Sequence, residues 1–173
     1  QIIINMIKYS IRYILLLNIV VCSVYFEDIT VDAGLSFSGF SQGVCLFDYN
    51  NDGMDDILFT TRTGGAIHLY RNDGNMEFTD VSIQSNLSVS MEARAVIAAD
   101  YDNDGDQDVF IGATDGISIL FQNDGYGNFQ DVTNLAGIII NDRVSGCSWL
   151  DYNQDGFLDL YVGLTYISNL LFK

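Results

Sequence analysis

The sequence contains no proline, one histidine and only 7 lysines and arginines in 173 residues. Average usage of about 5% would put roughly eight prolines in such a chain, so collagen-like and proline-rich linker classes are excluded. Against the few cations stand 23 Asp and Glu, for a formal net charge of -16. That excess repels phosphate backbones and anionic lipid, which excludes nucleic acid and polybasic membrane docking. Cysteine is scarce as well. Cys22, Cys45 and Cys147 are too few and too widely spaced for a disulfide framework. Cys45 and Cys147 each sit in an apolar run with no histidine or base beside them, so they read as buried free thiols and not as nucleophiles.

A long hydrophobic run is also missing. The apolar stretch Tyr13 to Val21 is interrupted by Asn18 and reaches about half of the roughly 20 residues that span a bilayer. It follows Lys8 and Arg12 and precedes small residues and the acidic Glu27 and Asp28. A basic start, a short apolar core and a small-residue exit form the layout of a secretory signal over residues 1–23. Residues 1–5, ahead of Met6, are compatible with upstream read-through. The expected location is therefore secreted or extracellular (periplasmic or cell-surface in a bacterium), with no membrane span in the mature chain.

The body of the chain is rich in what remains: 49% hydrophobic residues, 13% aromatics and 16 glycines. It repeats. Phe26-Glu27-Asp28-Ile29-Thr30 returns as Phe78-Thr79-Asp80-Val81-Ser82 and as Phe129-Gln130-Asp131-Val132-Thr133. Asp48-Tyr49-Asn50, Asp100-Tyr101-Asp102 and Asp151-Tyr152-Asn153 keep the same step, as do Leu69-Tyr70-Arg71-Asn72-Asp73-Gly74 and Leu120-Phe121-Gln122-Asn123-Asp124-Gly125. The period is 51 to 52 residues in all three markers. Within a unit, short β-branched and aromatic runs alternate with Gly/Asn/Asp clusters, and no 3.6-residue stripe with caps is present. The middle unit predicts strands near 93–99, 108–113, 117–122 and 128–133. Four short antiparallel strands per unit match one blade of a β-propeller. The expected fold is all-β, with about three four-stranded blades over residues 24–173. Leu170-Leu171-Phe172-Lys173 matches Ile119-Leu120-Phe121-Gln122, so the third unit stops within a strand and the chain reads as a fragment of a longer protein.

Between the first and second strand of each unit lies an acidic nonapeptide: residues 48–56, 100–108 and 151–159. These loops hold 12 of the 23 acidic residues. Side-chain oxygens at positions 1, 3, 5 and 9 converge when such a loop curls, and glycine at position 6 allows the bend. The candidate ligands are Asp48, Asn50, Asp52 and Asp56; Asp100, Asp102, Asp104 and Asp108; and Asp151, Asn153, Asp155 and Asp159. Position 7 (Met54, Asp106 and Phe157) would add a backbone carbonyl. Hard oxygen donors in a flexible ring suit Ca²⁺, at about three sites. An EF-hand would need a Glu at position 12, where Phe59, Ile111 and Val162 stand instead. By charge the second loop should bind most tightly.

On Asp48-Tyr49-Asn50-Asn51-Asp52-Gly53, Leu69-Tyr70-Arg71-Asn72-Asp73-Gly74 and Phe78-Thr79-Asp80-Val81, the chain resembles the FG-GAP/VCBS repeats of integrin-α-like propellers. Within them it is most similar to the cartilage acidic protein and UnbV-like group. The resemblance implies an extracellular propeller with calcium held at the loop residues named above. It implies a non-catalytic module for extracellular protein or glycan binding. The alternative is the scaffold of a carbohydrate-active lyase, which would need a central cluster of Lys, Arg, His or Tyr. His68, the only histidine, reads as a strand residue. Trp149, Tyr49, Tyr101 and Tyr152 read as packing between blades, and Asn86-Leu87-Ser88 is a glycosylation sequon.

Overall fold

A computed structural model of the chain describes residues 25–62 and 65–173. The predicted secretory signal lies outside the described residues. Among the described residues eleven strands form three consecutive antiparallel sheets, and no helix occurs. The first sheet contains β1 (Ser41–Phe47), β2 (Asp56–Thr61), β3 (His68–Asn72) and β4 (Phe78–Asp80), paired in that order. The second repeats the meander with β5 (Glu92–Ala99), β6 (Asp108–Asp115), β7 (Ile119–Asn123) and β8 (Phe129–Asp131). The third contains β9 (Val144–Leu150), β10 (Asp159–Leu164) and β11 (Leu170–Phe172), so it is three-stranded where the first two have four. These are three stacked propeller blades.

Strand alternation explains the stacking. On β6, Val109 and Ile111 point into a core shared with the first sheet, alongside Phe47, Leu58, Leu69 and Val81. Phe110, between them in sequence, points into the opposite core with Leu160, Val162 and Val144 of the third unit. A strand buried on both faces has no polar alternation to show, which is why β6 reads as a continuous apolar run. Each innermost strand carries a register shift at the equivalent place, opposite Thr61, Ala113 and Leu164. Such bulges increase local twist.

The sheets approach closely at these strands. A Cβ on Gly112 would lie 2.4 Å from Cγ1 of Val144, itself fully buried. Gly112→Ala is therefore expected to lower stability by about 1–3 kcal/mol through overpacking, read as a lower urea midpoint with unchanged slope.

One repeat of the sequence pattern does not become a strand. Residues 26–30 match β4 and β8, yet are irregular here, since among the described residues no strand lies beside them to pair. Their local geometry is kept. The Thr30 amide donates to Asp28 Oδ1 at 3.0 Å, as the Ser82 amide does to Asp80 (3.0 Å) and the Thr133 amide to Asp131 (2.9 Å). That side-chain turn also ends β8 at Asp131, two residues before the sequence predicts.

Candidate metal centre

All three acidic loops sit where the sequence puts them, with position 1 directly after the first strand of its sheet and position 9 opening the second. Their internal bonding is the same. Asp48 accepts the amides of Asp52 (3.1 Å) and Gly53 (2.7 Å). Asp100 accepts those of Asp104 and Gly105 (both 3.0 Å), and Asp151 those of Asp155 (3.1 Å) and Gly156 (2.9 Å). Position 5 then accepts the amide of position 7 in every loop, Asp52 from Met54, Asp104 from Asp106 and Asp155 from Phe157. Gly53, Gly105 and Gly156 have φ of 84°, 97° and 88°, and open space surrounds each. Glycine is needed there for its backbone freedom and not for room.

Position 4 escaped the sequence reading. Asn51, Asn103 and Gln154 have φ of 58°, 61° and 60°, a left-handed conformation that asparagine tolerates better than most residues. The two asparagine side chains reach the neighbouring loop. Asn51 Nδ2 donates to Asp106 Oδ1 at 2.6 Å, and Asn103 Nδ2 to the Gly156 carbonyl at 3.0 Å. The carboxylate of Asp106 is thus turned toward the first loop, and packs against Gly125, where a Cβ would meet its Oδ2 at 2.4 Å.

Position 9 is the buried anchor. Asp56, Asp108 and Asp159 are 0%, 0% and 2% exposed. Each accepts the amide of position 2: Tyr49, Tyr101 and Tyr152. Asp56 also accepts the Asn72 amide (2.7 Å) and Asp108 that of Asn123 (2.8 Å). The asparagines of the third repeat marker therefore belong to the site. Asn72 Nδ2 donates to the Asp55 carbonyl; Asn123 Nδ2 donates to the carbonyls of Gln107 and of Tyr49 in the preceding unit. The fixed 51-residue spacing of these asparagines is visible in the sequence, but the partners they bond are not.

The electrostatics single out the second loop. Asp100, Asp102 and Asp108 bring ligand oxygens within 4.8 Å of one another. Asp104, exposed and bonded to Asp106, is not part of that convergence. Gln122 Nε2 donates to Asp102 Oδ2 at 2.6 Å, while Asp102 Oδ1 is buried with no hydrogen-bond partner among the described residues. Burial, and next in order two opposing backbone amides and the charges of Asp102 and Asp104, leave the Asp108 carboxyl pushed up to about 7. Burial likewise raises Asp56 to about 6, and raises Asp102. A buried orphan oxygen among carboxylates that resist ionising together is what a hard cation would resolve. The donor set, all oxygen, fits Ca²⁺.

Three of the four aromatics expected to pack between blades do so, and Tyr152, on the outer side of the third unit's loop, does not. Tyr49 is buried in the first inter-sheet core, and Tyr101 stacks on Trp149 across the second, with centroids 6.1 Å apart. Tyr152 is exposed. Cys45 and Cys147 are free thiols, and burial raises both, Cys147 to about 12.

The FG-GAP-like repeat family matches this chain twice, over residues 48–111 and 100–162. Each match begins at the first aspartate of an acidic loop and runs on to the second strand of the next unit. The chain belongs to the FG-GAP-like repeat family. FG-GAP-like repeats are propeller blades, in agreement with the three sheets. Among curated proteins the chain is 30% identical over 129 residues to Cartilage acidic protein 1 of Xenopus tropicalis, covering 69% of this chain and 20% of that protein. The same-named proteins of Mus musculus and Homo sapiens are 28% and 27% identical, over 20% and 19% of their lengths. The match thus takes in about a fifth of each relative.

Proposed function

We propose that the chain is an exported, calcium-binding FG-GAP-like module that displays loops to an extracellular protein or glycan and performs no catalysis. One observation carries the calcium reading: Asp100, Asp102 and Asp108 converge around a buried, unpartnered Asp102 oxygen, inside a backbone cage that all three units repeat. Calcium at positions 1, 3, 5 and 9 would neutralise the convergent charge and lock the first and second strands of each blade together. Asn51 and Asn103 would pass that rigidity from blade to blade.

Export is supported by the signal-like segment 1–23 and by relatives named for cartilage. A binding role is supported by the opposite ends of the sheets. There the turns after β6 and β10 carry the exposed apolar residues Ile117, Tyr166 and Ile167. A non-catalytic role is supported by how the basic residues are occupied. His68 is enclosed by Phe37, Phe59 and Tyr70 and faces Asp80 at 3.3 Å. Arg62 and Arg71 pair with Glu92 and Asp73, and Arg143 donates to the Thr114 carbonyl.

Calorimetric titration of Ca²⁺ into chelator-stripped protein tests the reading. About three sites are expected, with Mg²⁺ binding more weakly because it demands a rigid octahedron. No heat, together with a melting temperature that ignores calcium and chelator alike, would overturn it.

A further inference from the structure

The turn that follows residues 26–30, β4 and β8 is built the same way each time. The amides of Ala33, Ser85 and Ala136 donate to the carbonyls of Ile29, Val81 and Val132, and those of Leu35, Leu87 and Ile138 to Thr30, Ser82 and Thr133. Between them, Gly34, Asn86 and Gly137 donate to Val31, Ile83 and Asn134, with φ of 76°, 62° and 69°. The left-handed position that two units give to glycine is asparagine in the middle one. Asparagine accepts that backbone better than most residues, so the turn is satisfied, but the turn does not use the side chain. Among the described residues no hydrogen bond reaches the Asn86 carboxamide. The left-handed Asn51 and Asn103, by contrast, each clasp the next loop.

Asn86-Leu87-Ser88 is also the one Asn-X-Ser/Thr triplet in the 173 residues. Such a triplet takes an N-linked glycan where its asparagine and hydroxyl face outward and the fold leaves the sugar room. Both conditions hold here. Leu87 is fully buried and anchors the triplet, while Asn86 and Ser88 on either side of it are exposed. The Phe129 amide donates to the Ser85 carbonyl at 3.0 Å and holds the turn beside β8. Next to Asn86 lies a cleft of about 370 Å³, bordered by Gln122, Asp124, Asn128 and Gln130. Ligand sites start at about 300 Å³, and these amides and the carboxylate offer donors and acceptors to sugar hydroxyls. The cleft lies between β4 and the β7–β8 turn, in the interior of the chain.

We propose that Asn86 carries an N-linked glycan whose first sugar lies over this cleft. The inference rests on the export reading, because the sugar donor is met only on the secretory route. In the transfer, Nδ2 of Asn86 attacks C1 of an oligosaccharide held on a lipid pyrophosphate. The C1–O bond to the phosphate breaks, a C1–N bond forms, and one amide proton leaves with the departing pyrophosphate. Residue 86 stays a neutral amide, so the turn keeps its backbone.

The full chain is expressed in glycosylating cells in two forms, one led by its own residues 1–23 and one with an established secretion signal placed ahead of it. Protein of the second form is expected to run as a heavier band that peptide N-glycosidase collapses, with mass spectrometry finding aspartate at position 86 afterwards. Asn86→Gln and Ser88→Ala should each abolish the shift. Asn86→Gly, which copies Gly34 and Gly137, should abolish it in a chain whose far-UV circular dichroism is unchanged. Amides of residues 124–130 should exchange more slowly in the glycosylated chain than in Asn86→Gly, and equal exchange would overturn the seating of the sugar on the cleft. A second form that is secreted and folded with Asn86 unmodified overturns the proposal, whatever the first form does. A glycosylated second form beside a first form kept in the cytosol would overturn the export reading instead, and leave Asn86 an acceptor that the protein does not use.

Discussion

Stripped of metal, the protein is expected to be most stable near pH 4 to 5 and to lose stability steadily up to about pH 7. Calcium is expected to abolish that slope. The groups responsible are Asp108 and Asp56, whose carboxyls are raised to about 7 and about 6 in the fold from 3.8. Both are acids with a folded value above the unfolded one. Between 3.8 and the raised value the folded chain holds a proton that the unfolded chain has released, so unfolding becomes easier as pH rises. Each such group contributes about 1.4 kcal/mol per pH unit within its window, a sizeable share of the roughly 5–15 kcal/mol that holds a domain together. Carboxylates of the opposite kind act elsewhere on the scale. Asp73 is held low by the Thr79 hydroxyl and Arg71, and Asp124 by the Asn128 side chain, so what they add is present above about 4 and is lost only below it. The two trends leave a maximum between them. Calcium takes its ligands deprotonated, so bound metal would favour the ionised carboxylates and release protons on binding. Urea unfolding from pH 4 to 8, with chelator and with millimolar calcium, measures both slopes. A metal-free chain that grows more stable from pH 5 to 7 would contradict the electrostatic reading of the loops.

How much of this the sequence disclosed depends on whether a residue's partner is local. The loops were legible because their internal bonds run between residues two to seven positions apart. Asp48 to Gly53 is a contact that a motif can encode. Blade count and strand positions were legible because the 51-residue period repeats them. The clasp of Asn51 on Asp106 and the reach of Asn123 to Tyr49 were not, since those partners lie 55 and 74 residues away. Only the stacking of one unit on the next brings them together. Asp104, the third aspartate of the most acidic loop, has its carboxylate exposed and bonded to the next turn, outside the cluster that Asp108 completes from the start of β6. Residues 26–30 show the same limit for secondary structure: the pattern of a fourth strand forms its terminal turn locally but becomes a strand only beside a third.

Asp108 offers the sharpest separation of structural from metal-binding roles. Its carboxylate is fully buried and accepts two backbone amides, from Tyr101 at 3.2 Å and Asn123 at 2.8 Å. Asp108→Ala would leave both amides without a partner in a site closed to water, at about 1–3 kcal/mol each, besides removing a ligand. This variant should be less stable than the parent with or without calcium. Asp108→Asn differs because its amide oxygen still accepts one of the two backbone amides, while its NH2 group, a donor, leaves the other unpaired. In chelator at pH 7 the asparagine variant should therefore melt between the parent and the alanine variant, and its gap to the parent should narrow at pH 8 to 9, because the parent's carboxyl, raised to about 7, must then be buried as a charge. In calcium the gap should widen. The parent gains binding energy at the second loop, about 2.7 kcal/mol at a hundredfold excess over the dissociation constant, which the asparagine variant forgoes with its charged ligand. Asp104→Asn, altering an exposed ligand outside the buried cluster, should keep more of that gain. Melting curves of the four proteins in chelator and in calcium test the difference. A gap of the same size in calcium and in chelator would show Asp108 to be a purely structural carboxylate.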